Sequence, residues 1–287
     1  MLKRTLTALL LIPSVVYLIG WSPKWLFLLA VATAVVLALR EYFALCRAMG
    51  YQVFPWIGYV AGAALCVVRA VPEHWSDFAR TLMLVVLLLL LIPTLALRRS
   101  VDLKDYLAAT SVTIFGILYI GLSLSCLVPM RFGFRPIGML SGDTAPMWDL
   151  TRGSVLLLFL FLVIWAGDIC AYLVGRSMGR IPFFARISPR KTCEGALAGL
   201  AGSLLGAWAF AHWFFETDVK TVIMFAAWIA VAGQVGDLVE SAIKRGANQK
   251  DSGTLLPGHG GFLDRIDSLL FAAPALWLAI VILGSLP

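Results

Sequence analysis

The stretch TLMLVVLLLLLIPTLAL, Thr81–Leu97, runs for 17 residues without a charged side chain. A segment of this kind has two homes, a dry protein core or the hydrocarbon of a bilayer. A helix needs roughly 20 mostly apolar residues to cross about 30 Å of lipid. Comparable runs occupy Thr5–Gly20, Trp25–Ala44, Trp56–Val71, Tyr106–Val128, Val155–Val174, Ala196–Phe214, Val222–Ile243 and Ser268–Leu286. Backbone N–H and C=O groups find no partners in lipid, so each run is predicted to be a helix. The expectation is an all-α polytopic membrane protein of about nine transmembrane helices. Composition agrees, with 61% hydrophobic and 14% charged residues and a mean hydropathy of +0.91. Soluble domains carry about 45–50% apolar and about 25% charged residues, so a water-soluble fold would expose large apolar patches.

Lys3 and Arg4 resemble the charged start of a secretory signal, but no A-x-A site follows the first run, so it is read as a retained span. Pro13 and Pro93 fall inside spans, where neighbouring groups satisfy the freed carbonyls. With the N-terminus in the cytoplasm, the cytoplasmic ends and loops hold 16 Lys and Arg, and the opposite side holds seven. That asymmetry sets the orientation and puts the net charge of +7 where anionic lipid heads and nucleotides are met. The location expected is the plasma (inner) membrane, multi-pass. No basic-aromatic stripe lies on a soluble module, so nucleic acid is excluded as a partner. The five cysteines stand singly with no C-x-x-C pair, which argues against a zinc site or a disulfide framework. His74 and His212 are read as surface or packing residues.

The chain divides unevenly. Residues 1–127 read as a transmembrane scaffold, 128–154 as an irregular non-cytoplasmic connection, and 155–287 as the catalytic transmembrane region. In that last region four polar groupings stand out, because ionisable side chains within spans are costly and usually face a wet cavity or a partner.

The first is WAGDICAYLVGRSMG, Trp165–Gly179, where Asp168 and Tyr172 share a helical face that Gly175 and Gly179 continue. The second is RISPRKTCEG, Arg186–Gly195. There Ser188, Arg190, Lys191 and Thr192 set cations and hydroxyls before a helix N-terminus, an arrangement suited to phosphate. The glycine spacing of a P-loop is absent. The third is GQVGDLVESAIKRGANQKD, Gly233–Asp251. Asp237, Glu240, Ser241 and Lys244 line one helical face, with Arg245 on its edge and Lys250 beyond.

The fourth grouping is GHGGFLDRIDS, Gly258–Ser268. Asp264 and Asp267 are expected on one face of a starting helix, His259 and Arg265 within reach of a phosphate, and Gly258, Gly260 and Gly261 free to turn N–H groups toward an anion. A helix cap by Asp264 would account for neither Asp267 nor the histidine and glycines. Two close carboxylates repel unless a cation sits between them, and hard oxygen ligands favour Mg²⁺ over zinc. All four groupings fall at cytoplasmic helix ends or loops. The residues alone therefore imply Mg²⁺-dependent chemistry on a lipid phosphate or a nucleotide.

The run Ser241–Asp267 also resembles the signature of the phosphatidate cytidylyltransferase (CDP-diacylglycerol synthase) family, S-x-x-K-R, four residues, K-D-x-G, then P-G-H-G-G-x-x-D-R-x-D. Every fixed position is met. The D-x-x-A-Y-x-x-G at Asp168–Gly175 and S-P-x-K-T-x-E-G at Ser188–Gly195 are similar to the same family's pattern. The resemblance implies the reaction of CTP with phosphatidate to give CDP-diacylglycerol and pyrophosphate. It also implies Mg²⁺, a further K⁺, a helical membrane fold and a homodimer. By position it implies Asp237 and Asp264 as metal carboxylates, with Asp267, His259 and Lys244 beside them in catalysis. Ser188, Arg190, Lys191, Thr192, Ser241, Arg245, Lys250, Gly260, Gly261, Arg265, Asp168 and Tyr172 are then candidates to bind substrate. An ion-coupled transporter is the rival reading, but it would keep its carboxylates near the bilayer midplane, whereas here they gather at one face.

Overall fold

Each apolar run is helical wherever the computed structural model describes it, over residues 12–71, 77–97, 102–133, 150–214, 218–255 and 260–284. In chain order the helices are α1 (12–20), α2 (Lys24–Ala48), α3 (Pro55–Ala70), α4 (Asp77–Ala96), α5 (Leu103–Phe132), α6 (Arg152–Met178), α7 (Cys193–Phe214), α8 (Val219–Gly246) and α9 (Asp267–Gly284). No strand runs through the described residues, and Pro182 pairs with Thr192 in an isolated antiparallel bridge. Six helices, α2 and α4 to α8, are long and apolar enough to cross a membrane, while α3 and α9 are apolar but shorter. The 27 residues of α6 extend about 40 Å at 1.5 Å per residue, enough for the hydrocarbon with some tilt. Residues 128–132, expected to be irregular, continue α5, and most of the remaining connection lies outside the described residues, as do His259 and Gly258.

The chain forms two compact units. One comprises the described parts of Met1–Ser14, Ser22–Gly133 and Ile243–Ile266, and the other the described parts of Val15–Trp21, Phe134–Ala242 and Asp267–Pro287. A segment from near the C-terminus therefore belongs with helices of the first half.

In the first unit, proline at the first position of α3 starts that helix where its missing N–H costs nothing. The preceding Phe54 N–H is satisfied by Thr113 Oγ1 of α5 at 3.1 Å. Without a hydrophobic drive between lipid-embedded helices, close backbone approach replaces it. Thus a Cβ on Gly121, within a π-helical stretch of α5 (Ile117–Leu122), would lie 3.1 Å from the Gly62 Cα of α3. Ala61, Leu65, Leu88, Ile92 and Ile117 close a core around this contact.

In the second unit, Thr151 caps α6 by accepting from the Ser154 N–H at 3.3 Å, and Ser154 Oγ donates to the Gly20 carbonyl at the end of α1. The glycines and alanines of α6 and α7 let the two helices run together: a Cβ on Gly199 would stand 3.0 Å from Ala171 Cβ and 3.1 Å from the Gly167 carbonyl. Two polar ties fix α8 among its neighbours. Gln234 Nε2 donates to the Ala196 carbonyl of α7, and Trp228 Nε1 donates to the Ala275 carbonyl of α9, each at 3.0 Å.

Candidate active site

A Cβ on Gly236 of α8 would lie 2.6 Å from the Asp267 carbonyl, so only glycine admits the start of α9 there. This approach, one residue before Asp237, brings three acids together. Asp237, Glu240 and Asp267 each offer a carboxylate oxygen within 4.8 Å of the others. Glu240 is completely buried, and Asp237 and Asp267 are half-buried. Lys191 forms an ion pair with Asp237, Ser241 Oγ donates to Asp237 Oδ1 at 3.4 Å, and the Ser268 N–H donates to Asp267 Oδ1 at 2.7 Å. Asp168 is near enough for its charge to act on Asp267. Two carboxylate charges at this spacing repel by roughly 3 kcal/mol at an effective dielectric of about 20. Hard, closely spaced carboxylate oxygens fit a divalent cation of the Mg²⁺ type.

Lys191 reaches Asp237 from a braced hairpin. The Phe183 N–H donates to the Lys191 carbonyl at 2.7 Å and the Cys193 N–H to the Ile181 carbonyl at 2.8 Å. Glu194, in the first turn of α7, accepts from the N–H groups of Arg180 and Ile181 at 3.1–3.2 Å, tying the base of the hairpin to the helix. Thr192, a candidate phosphate ligand by sequence, uses Oγ1 to cap α7 through the Gly195 N–H at 3.2 Å. Ser188 and Arg190 lie at the hairpin's outer turn, Arg190 exposed. Tyr172 is exposed on α6 and accepts from Arg176 at 2.6 Å.

A second acidic assembly lies in the first unit. Asp264 Oδ1 accepts from Lys244 Nζ at 2.6 Å, with side-chain exposures of 9% and 11%. Asp264 Oδ2 accepts from the N–H groups of Gly261 at 2.8 Å and Ser252 at 3.0 Å. Burial pushes the Asp264 carboxyl up, but the Lys244 ammonium and the two N–H groups outweigh it and hold the group below the usual carboxylate range. Gly260 takes φ +82°, a left-handed turn suited to glycine, so that the chain can wrap this carboxylate. Gly261, a candidate anion donor by sequence, directs its N–H to Asp264 instead of outward. Arg245 Nη1 donates to the Gln249 carbonyl at 3.0 Å, and Arg245, Lys250 and Arg265 are exposed.

The expectation that Asp264 and Asp267 share one starting helix is not met. Asp264 sits in a 3₁₀ turn, Leu263–Arg265, which Ile266 ends at φ −122°, and α9 begins afresh at Asp267.

Glu41 escaped the sequence reading altogether. It is 7% exposed on α2, within the run taken as scaffold. Its carboxylate accepts from Ser252 Oγ at 3.0 Å, the Phe262 N–H at 3.0 Å and the Leu263 N–H at 2.8 Å. The available signal was the cost of an acid inside the apolar run Trp25–Ala44, which marks such residues for attention.

Apolar membrane-length helices that carry a carboxylate cluster with lysine beside it define a class: a multi-pass membrane protein with a charged cluster on its helices. Comparison with known proteins narrows the class. The chain belongs to the cytidylyltransferase family, whose model matches residues 2–283. It is 36% identical over 275 residues to the phosphatidate cytidylyltransferase of Synechocystis sp., covering 90% of this chain and 89% of that protein. It is 33% identical over 259 residues to phosphatidate cytidylyltransferase 5, chloroplastic, of Arabidopsis thaliana, covering 86% of this chain and 64% of that protein. The phosphatidate cytidylyltransferase of Staphylococcus aureus is 41% identical over 132 residues, 46% of this chain and 51% of its own length.

Proposed function

We propose that this protein transfers the cytidylyl group of CTP to phosphatidate, giving CDP-diacylglycerol and pyrophosphate. The observation that carries the reading is the gathering of Asp237, Glu240 and Asp267 with Lys191 at the ends of apolar helices, in a chain of the cytidylyltransferase family. A phosphatidate oxygen forms a bond to the α-phosphorus of CTP as the bond from that phosphorus to the bridging oxygen breaks, and pyrophosphate leaves with the electron pair. The attacking oxygen is anionic near neutral pH, since phosphomonoesters lose their second proton at a pKa of about 6. No strong general base is needed, and catalysis reduces to in-line positioning and charge neutralisation.

Asp237, Glu240 and Asp267 would hold Mg²⁺, which when bound neutralises charge on phosphate oxygens. Lys191, kept in place by its hairpin, orients Asp237 and offers a cation to phosphate. Arg245, Lys250 and Arg265, exposed at a helix end and in the loop that follows, can meet the triphosphate, and an imidazole such as that of His259 can donate a hydrogen bond to the leaving group. Asp264 belongs to the same pattern as a metal carboxylate, a role that requires its Lys244 ion pair to open. The count of 16 cytoplasmic against seven opposite cations supports a cytoplasmic site, where CTP is available.

The test uses purified protein in detergent with CTP labelled in its cytidine. Label should enter the organic phase only when phosphatidate and Mg²⁺ are both present. Transfer that persists in excess chelator removes the metal from the proposal, and label extraction without phosphatidate removes the acceptor.

A further inference from the structure

Glu41 is separated by more than 200 positions from the groups it binds, and it binds them at the backbone. The Phe262 and Leu263 N–H groups open the 3₁₀ turn that carries Asp264. Its third donor, Ser252 Oγ, accepts in turn from the Asp264 N–H at 3.3 Å, while the Ser252 N–H donates to the Asp264 carboxylate. Glu41 thus touches the peptide before Asp264 and, through one serine, holds both the backbone and the side chain of Asp264. The fit leaves no spare room. A Cβ on Gly253 would come within 2.5 Å of Glu41 Oε1, and one on Gly261 within 2.6 Å of Glu41 Oε2.

We infer that Glu41 is a positioning residue for the transferase site, fixing the Asp264 turn through Ser252 without touching substrate. The inference rests on the cytidylyl-transfer reading. A buried carboxylate that collects two backbone N–H groups and a hydroxyl resists displacement, because each donor would be left without a partner in a dry place. A surface-exposed alternative would let the turn breathe. Displacement of a reacting or ligand group by about 1 Å costs up to a hundredfold in rate. Losing the anchor should therefore lower turnover more than substrate affinity.

The experiment compares wild type with Glu41→Gln, Ser252→Ala and the double variant, in detergent. Glu41→Gln keeps shape and one acceptor oxygen, so it is expected to fold, and Glu41→Asp serves as the conservative variant. Three readouts are taken: kcat and KM for CTP, the thermal midpoint, and amide hydrogen exchange of peptides spanning 252–255 and 260–266. The expected result is a fall in kcat of about tenfold to a hundredfold in Glu41→Gln, with KM within about twofold. Exchange should quicken in both peptides, Glu41→Asp should recover part of the loss, and the double variant should cost less than the product of the single losses. Unchanged exchange in Glu41→Gln overturns the anchor. Independent losses in the double variant overturn the serine relay. Faster exchange with wild-type kcat overturns the positioning role and leaves a purely structural one. Should wild type itself transfer no label, the function proposed above fails, and the positioning role for that reaction is overturned with it, while the exchange data still decide whether Glu41 holds the turn.

Discussion

Asp267 faces two other carboxylates, whereas Asp264, three residues earlier, faces an ammonium and two backbone N–H groups. The first arrangement sets three acids within reach of one another, with the Lys191 ion pair on Asp237 beside them. The second is closed by the protein's own donors. A cluster of like charges is stable only with help from outside, so the Asp237, Glu240 and Asp267 set is where a cation is expected to act. The Asp264 set with Glu41 and Lys244 holds a loop in shape. Sequence spacing alone makes the two aspartates look like one device.

Neutralising a carboxylate in each set puts the contrast under the greatest strain. Asp237→Asn and Asp264→Asn should each lower turnover by about a hundredfold or more, measured as label transfer in saturating substrates. They should part company in stability. Without divalent ions Asp237→Asn removes repulsion, so the thermal midpoint should stay level or rise, and the rise that Mg²⁺ gives wild type should vanish. Asp264→Asn should lower the midpoint whether or not Mg²⁺ is present. A lower midpoint for Asp237→Asn in chelator would mean that its cluster is already balanced.

Lys244→Met breaks the nearly buried pair and should cost about 3 kcal/mol, read as a midpoint several degrees lower. The pH dependence of that assembly is narrower. The folded Asp264 group lies below its ordinary range, so its contribution is in full above an unfolded pKa of about 3.9 and is lost as pH falls through the folded value. The midpoint difference between wild type and Asp264→Asn should be flat from pH 7 to 5 and shrink only below about pH 4. A difference that fades between pH 7 and 5 would show that Lys244 does not hold the carboxylate down. Arg47→Ala, an exposed position on α2, should change stability by less than about 0.5 kcal/mol and leave turnover unchanged. A dead enzyme there would show that the functional part of the first half of the chain reaches beyond Glu41.

The helices were legible because a long uncharged run such as Thr81–Leu97 leaves its backbone no choice but to satisfy itself. The meeting of Lys191 with the α8 acids was half legible. Both belong to recognisable motifs, but the hairpin that carries the lysine across depends on backbone pairing around Pro182 and Thr192. Thr192 itself shows why hydroxyls are ambiguous in sequence, since capping a helix and binding a phosphate ask for the same residue in the same place. The break at Ile266 was invisible, because a 3₁₀ turn followed by a new helix has the same residue spacing as one continuous helix. Glu41 was hidden for a different reason. Two of its three partners are peptide N–H groups, which every non-proline residue owns and no pattern advertises.

The long separation between Glu41 and its partners also bears on biosynthesis. The helix carrying Glu41 is made 222 residues before Leu263, which at about 5–20 residues per second is an interval on the order of 10–40 s. Until Ser252 is reached, an acid waits in a nascent span with none of these three donors yet translated. A chain cut short before Ser252 would keep this acid without those three donors, so the membrane half-product and the finished protein differ in how one buried charge is satisfied.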